Sequence, residues 1–246
     1  MKMPLLLLLS ATLGSCACQD REDPNNRRPK IAVSVLVDLS ETWHNAEADG
    51  LDRRVLSAVG AALVGASNRL PKPISVRYHA IGEASLGREP ICSTTFRPSA
   101  FAMGKEQLGV IRNREQFARY VQSECPDMFI SRGIEGSTEI VAAIVTADRA
   151  LGLTRKGVPR VFIILSDFKE ESRPGYTFRG VDLKGSKFLL VYRTLNEDRM
   201  DPALQRERIA DWTRRLSRAG AQVEVIDENA LLTSPKDFEA QLGIAK

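Results

Sequence analysis

From residue 31 onward the chain alternates between two hydrophobic rhythms. Ile31–Val37 is nearly all apolar and β-branched, the composition of a strand buried on both faces of a parallel sheet. Residues 45–70 then place Leu51, Val55, Val59 and Leu63 at helical spacing, with few breakers before Pro71, which predicts a long helix. The same two rhythms recur. Residues 160–166 and 186–192 read as further buried strands and 221–226 as a final one. Residues 114–124, 138–151, 201–219 and 234–242 read as helices, the last with Pro235 in its first turn. Residues 74–81 alternate apolar and polar positions like an edge or half-exposed strand, and 91–96 is a weaker strand candidate. Trp43 and Trp212 are expected to be packing residues.

Repeated strand–helix alternation predicts an α/β fold, Rossmann-like in the broad sense. A mostly parallel central sheet would carry helices on both faces, joined by right-handed crossovers. With 246 residues, 43% hydrophobic and 27% charged, there is material for one sizeable core, and no linker separates two halves. The net charge of +4 is small and dispersed, so nucleic acid is not an expected partner.

The N-terminus departs from this pattern. Lys2, the run Leu5–Leu9 and the small residues before Cys16 read as a secretion signal. The run is too short for a spanning helix, which needs roughly 20 apolar residues. Leu13-Gly14-Ser15-Cys16 resembles a bacterial lipobox, which implies cleavage before Cys16 and lipid attachment to it. Ordinary cleavage after Ala17 is the alternative. Residues 1–15 are thus read as a lipoprotein signal peptide, 16–30 as a flexible polar tether and 31–246 as the domain. This places the chain in the bacterial cell envelope, lipid-anchored to a membrane, with its domain in the periplasm or at the cell surface. In that oxidising setting Cys92 and Cys125 are expected to pair, two separate buried thiols being the alternative, while Cys18 has no evident role.

Ligands of open α/β sheets bind beyond the carboxyl ends of the strands. Asp38-Leu39-Ser40-Glu41-Thr42 follows the first strand, Asp167 follows the strand 160–166, and Gly136-Ser137-Thr138-Glu139 precedes a helix. Two carboxylates and several hydroxyls are therefore predicted to meet at one rim. Oxygen-only donors suit a hard cation, Mg²⁺ first, with Mn²⁺ or Ca²⁺ as substitutes. Taken singly, each residue also fits a helix cap or a turn.

Together the three stretches resemble the metal-ion-dependent adhesion site of the von Willebrand factor A-type (VWA) domain. Asp38-x-Ser40-x-Thr42 resembles the family's Asp-x-Ser-x-Ser signature, Gly136–Ile140 its Gly-Gly-Thr-Asn-Ile loop, and Phe162–Asp167 its apolar strand ending in Thr-Asp-Gly. The resemblance implies hydroxyl ligands from Ser40, Thr42 and Thr138, and Asp38 and Asp167 bound to the metal directly or through water. It also implies a non-catalytic adhesion or assembly role, in which the metal takes a carboxylate from a protein partner. The sequence departs from the family at Thr42, where Ser is usual, and at Phe168, where Gly is usual. Glu41, Glu135, Glu139, Glu170 and Glu171 read either as solvated loop charge or as a rim selecting a basic partner.

Two rivals remain. A metal-dependent, phosphatase-like hydrolase also places Asp after its first strand, but needs a second Asp where Ser40 stands. No Gly-x-Ser-x-Gly elbow, phosphate loop or dinucleotide fingerprint occurs, and His44 and His79 are the only histidines. A metal-free scaffold lipoprotein is the other.

Overall fold

The computed structural model describes residues 31–41, 43, 51–69, 73–97, 110, 111, 113–152, 157–171, 177, 178 and 180–242. The signal, the tether with Cys16 and Cys18, Thr42 and His44 lie outside the described residues.

The expected α/β architecture is what the structure shows. Among the described residues seven strands form one sheet: β1 (Ile31–Asp38), β2 (Ile74–Ile81), β3 (Cys92–Phe96), β4 (Val110–Ile111), β5 (Arg160–Ser166), β6 (Lys187–Tyr192) and β7 (Gln222–Asp227), in the order β4-β3-β2-β1-β5-β6-β7. Every neighbouring pair is parallel except β2 with β3. The order reverses at β1, which has β2 on one side and β5 on the other, and ligands of open α/β sheets bind beyond the carboxyl ends of the strands at such a switch point.

Alternation along the strands feeds two cores. Val33, Val35 and Val37 pack on the face covered by α1 (Leu51–Arg69) through Val55, Val59 and Leu63. The same face takes Phe117 of α2 (Arg114–Arg119), Phe129 of α3 (Cys125–Ile130), Leu231 of α7 (Glu228–Thr233) and Phe238 of α8 (Pro235–Gln241). Ala32, Leu36, Phe162 and Phe188 face the other way. There they meet Ile140 and Ile144 of α4 (Ile140–Gly152) and Trp212 and Leu216 of α6 (Pro202–Arg218). Trp43 and Trp212 are both buried, as expected of packing residues.

Three expectations change. Residues 74–81 are not an edge strand: β2 lies between β1 and β3, and Arg77 alone of its eight residues is not buried. Its polar alternates Ser75, Arg77 and His79 sit on the side where α4 packs, so a period of two in the sequence reports which face is polar, not which face is wet. The helix predicted to stop at 124 runs on through Cys125 and Pro126 to Ile130. A π-helical turn, Tyr120–Glu124, precedes Pro126 and absorbs the ring that would clash in a regular helix. The Val121 carbonyl there accepts the Tyr78 hydroxyl at 3.5 Å. Finally, β4, α5 (Asn196–Met200) and α7 were not anticipated; each is six residues or fewer.

Cys92 and Cys125 form a disulfide with Cα atoms 6.0 Å apart, tying β3 to the start of α3 across a sequence separation of 33. Closing a loop of that length in the unfolded chain stabilises by about 3–4 kcal/mol.

Candidate metal centre

Asp38 ends β1 and is fully buried. Its Oδ1 accepts the Ser40 N–H at 2.9 Å and its Oδ2 accepts the Ser166 hydroxyl at 2.6 Å. Burial pushes its carboxyl up to about 6; hydrogen bonds from Ser166 and Ser40 oppose this, and the nearby Asp167 charge adds to it. Among the described residues its hydrogen-bond partners, Ser40 and Ser166, are neutral.

Backbone pairing draws the other two stretches to the same rim. The Leu39 N–H donates to the Ile81 carbonyl and the Glu135 N–H to the Leu39 carbonyl, each at 2.9 Å, and Ser40 and Glu135 form a parallel bridge. The loop 135–139 is thereby laid beside residues 39–41. The Glu171 N–H then donates to the Thr138 carbonyl at 2.8 Å, and Glu170 accepts the Val141 N–H at 3.2 Å, closing the loop after β5 onto the start of α4. Asp38, Ser40, Thr138 and Asp167 are all buried at this rim, with exposures of 0, 7, 2 and 3%. The stretches carrying Asp38, Ser40, Thr138 and Asp167 are thus laid side by side; Thr42 lies outside the described residues. Among the described residues no three of His, Cys, Asp and Glu cluster in a way that could hold a metal. Of the expected ligands described, Asp38 and Asp167 are carboxylates and Ser40 and Thr138 are hydroxyls.

The glutamates divide differently from either sequence reading. Glu135 is ion-paired to Arg88 at 2.7 Å, Glu139 is buried and accepts the Ser85 N–H at 3.2 Å, and Glu170 caps α4. These three brace the loops of the site. Only Glu41 and Glu171 are exposed.

Phe168 explains the missing glycine. Its φ is +63°, the left-handed region a glycine would occupy at no cost. The ring is buried against Trp212, whose indole N–H donates to the Phe168 carbonyl at 3.1 Å.

Two residues escaped the sequence reading. Ser166, the last residue of β5, orients Asp38. Arg193 follows β6 and holds the chain just after Ser40: it donates to the Trp43 carbonyl and stacks 3.9 Å over the Trp43 ring. It also pairs with Glu228 at 2.7 Å and Asp52 at 2.8 Å. Burial lowers the Arg193 guanidinium's proton affinity, but its bonds to Glu228 and Asp52 outweigh that and hold it above its usual range. A single arginine after a strand carries no local signal for such a role.

No family model and no curated protein matches the sequence. Solved structures do. PilB minor pilin from Streptococcus sanguinis is 13% identical with a TM-score of 0.50, the match covering 88% of this chain and 62% of the pilin. The ArnB paralog VWA2 from Sulfolobus acidocaldarius is 12% identical (TM-score 0.45; 84% of this chain, 44% of that one). An aerotolerance-related membrane protein from Bacteroides fragilis is 13% identical (TM-score 0.43; 87% and 98%). The chain therefore spans less than two thirds of the pilin's length, and at these identities the likeness is one of fold.

Proposed function

Taking the VWA-like fold as its frame, we propose that this chain is a cell-envelope binding module. It would hold a divalent cation, Mg²⁺ or in its place Mn²⁺ or Ca²⁺, at the rim between β1 and β5, and through it a carboxylate of a protein partner. The observation that carries this is Asp38: a fully buried carboxylate beside a second one, Asp167, and bonded among the described residues to the neutral Ser40 and Ser166. Buried negative charge of this kind calls for a cation. The donors on hand, carboxylate and hydroxyl oxygens, are those a hard divalent ion takes. Asp38, Ser40, Thr138 and Asp167 would hold it, with Thr42 completing the set. With hydroxyls among its ligands the bound ion keeps positive charge, which is what a partner's carboxylate would meet.

The role is binding, not catalysis. Ser40 stands two residues after Asp38, where a phosphatase-like enzyme needs an acid/base carboxylate. Attachment to a membrane rests on the lipobox resemblance at Cys16; among the described residues no helix is long and apolar enough to cross a membrane. Labelling with palmitate should mark the wild type and not Cys16→Ser.

Calorimetric titration of Mn²⁺ tests the site. Wild type should give a saturable heat that Asp38→Ala loses while keeping its circular dichroism. Equal heats from the two proteins would overturn the metal reading and leave the metal-free scaffold.

A further inference from the structure

The side of β2 that faces α4 carries Arg77 and His79, and the rim between β1 and β5 uses neither. Arg77 lines a cleft of about 560 Å³ between the C-terminal part of α4 and the connection from β2 to β3. Ser93, opposite Arg77 in the antiparallel register, extends its floor, and Arg88, Glu89 and Arg149 line its walls. Small-molecule sites typically span about 300–1,000 Å³.

The charges in this cleft are unevenly matched. Arg88 is taken up by Glu135, at 2.7 and 2.8 Å. Arg77 is half-buried and donates to the Ala150 carbonyl; burial lowers its proton affinity, and the Glu89 charge only partly offsets this. Arg149 is exposed and, among the described residues, has no ion pair or hydrogen-bond partner. Next to the cleft, His79 is 3% exposed with neither ring nitrogen bonded among the described residues, and it sits among Arg88, Glu89 and Thr146. Guanidinium donors are thus left over in a concave, partly desolvated place.

We propose that this cleft binds a phosphate group, free or carried on a small molecule, gripped by the guanidinium groups of Arg77 and Arg149. A guanidinium fork matches two phosphate oxygens in one plane. Partial burial of Arg77 reduces competition from water. Arg149 supplies a guanidinium that pairs with no carboxylate among the described residues, and the Ser93 hydroxyl is a further donor. Nothing here depends on the metal.

The test is calorimetric titration of inorganic phosphate into the full chain at pH 7.5. EDTA is present, and chloride holds the ionic strength constant. A saturable heat is expected, weakened at least tenfold in Arg149→Gln and in Arg77→Gln. Because Arg149 is exposed and has no partner among the described residues, its variant should keep the wild-type unfolding midpoint, so lost binding cannot be lost folding. Glycerol 3-phosphate separates the sources: tighter binding than inorganic phosphate identifies an organic phosphomonoester, and equal or weaker binding identifies free phosphate. Absence of saturable heat from both probes, or wild-type affinity in Arg149→Gln, would overturn the proposal.

Discussion

The Ser166 hydroxyl donates to Asp38 Oδ2 at 2.6 Å, joining the ends of two strands 128 residues apart in sequence. The same oxygen accepts the Phe168 N–H at 2.9 Å, so one small side chain fixes both the Asp38 carboxylate and the turn that carries Asp167. Partners that orient a metal ligand typically contribute 10–100-fold in affinity. Ser166→Ala should therefore weaken Mn²⁺ binding by about that factor with the far-ultraviolet spectrum unchanged. Calorimetry on the variant reads this directly, and wild-type affinity would mean that Asp38 needs no such support.

Arg193 is the brace on the opposite side. Its side chain is 11% exposed, and its partners Glu228 and Asp52 are 6 and 12% exposed. Removing one member of a buried ion pair leaves the others uncompensated, at a cost of about 3–5 kcal/mol. Arg193→Met should lose stability on that scale in urea unfolding. Arg193→Lys should recover only part of it, since an ammonium cannot span Glu228, Asp52 and the Trp43 carbonyl at once. A methionine variant as stable as wild type would show that the network contributes little.

How much of this was legible beforehand depends on the range of the signal. β1, β5 and β6 announce themselves as unbroken apolar runs, and the rim residues follow because ligand positions in such folds are tied to strand ends. The burial of β2 was hidden, since Arg77 and His79 read as wet positions until α4 is placed over them. The helix across Pro126 was hidden by a π turn, a backbone register no composition reveals. Ser166 and Arg193 were hidden for a different reason. Their partners Asp38, Asp52 and Trp43 are each well over a hundred residues distant, and Glu228 is 35 residues from Arg193, so only the folded sheet defines those pairs.

His79 makes stability depend on pH. Burial, with the Arg77 charge adding to it, lowers its pKa from 6.5 to about 4. Between those values the unfolded chain takes up a proton that the folded one refuses. Stability is therefore retained above pH 6.5 and lost as pH falls toward 4, by up to about 3 kcal/mol. Asp38, whose pKa is raised, acts with the opposite sign over its own range, so the wild-type curve alone is ambiguous. The difference between wild type and His79→Leu isolates the histidine. The leucine variant should gain on the wild type as pH is lowered from 7 to 4 in urea titrations. Two parallel curves would rule His79 out as the titrating group.

Phe168 sets two effects against each other, and their magnitudes decide the outcome. A φ of +63° costs a non-glycine residue roughly 1–2 kcal/mol, which Phe168→Gly would recover. The same change deletes a ring that is 2% exposed and tilted against Trp212 at 6.3 Å between centroids. Emptying a buried phenylalanine site costs about 3–5 kcal/mol. The ring wins, so Phe168→Gly should be less stable by about 1–4 kcal/mol. Glycine keeps the left-handed turn, and with it the Phe168 N–H bond to Ser166 and the carbonyl that accepts Trp212. Mn²⁺ affinity should accordingly stay within a few-fold of wild type while the unfolding midpoint drops. A variant that is more stable than wild type would show that backbone strain, not ring burial, dominates at this position.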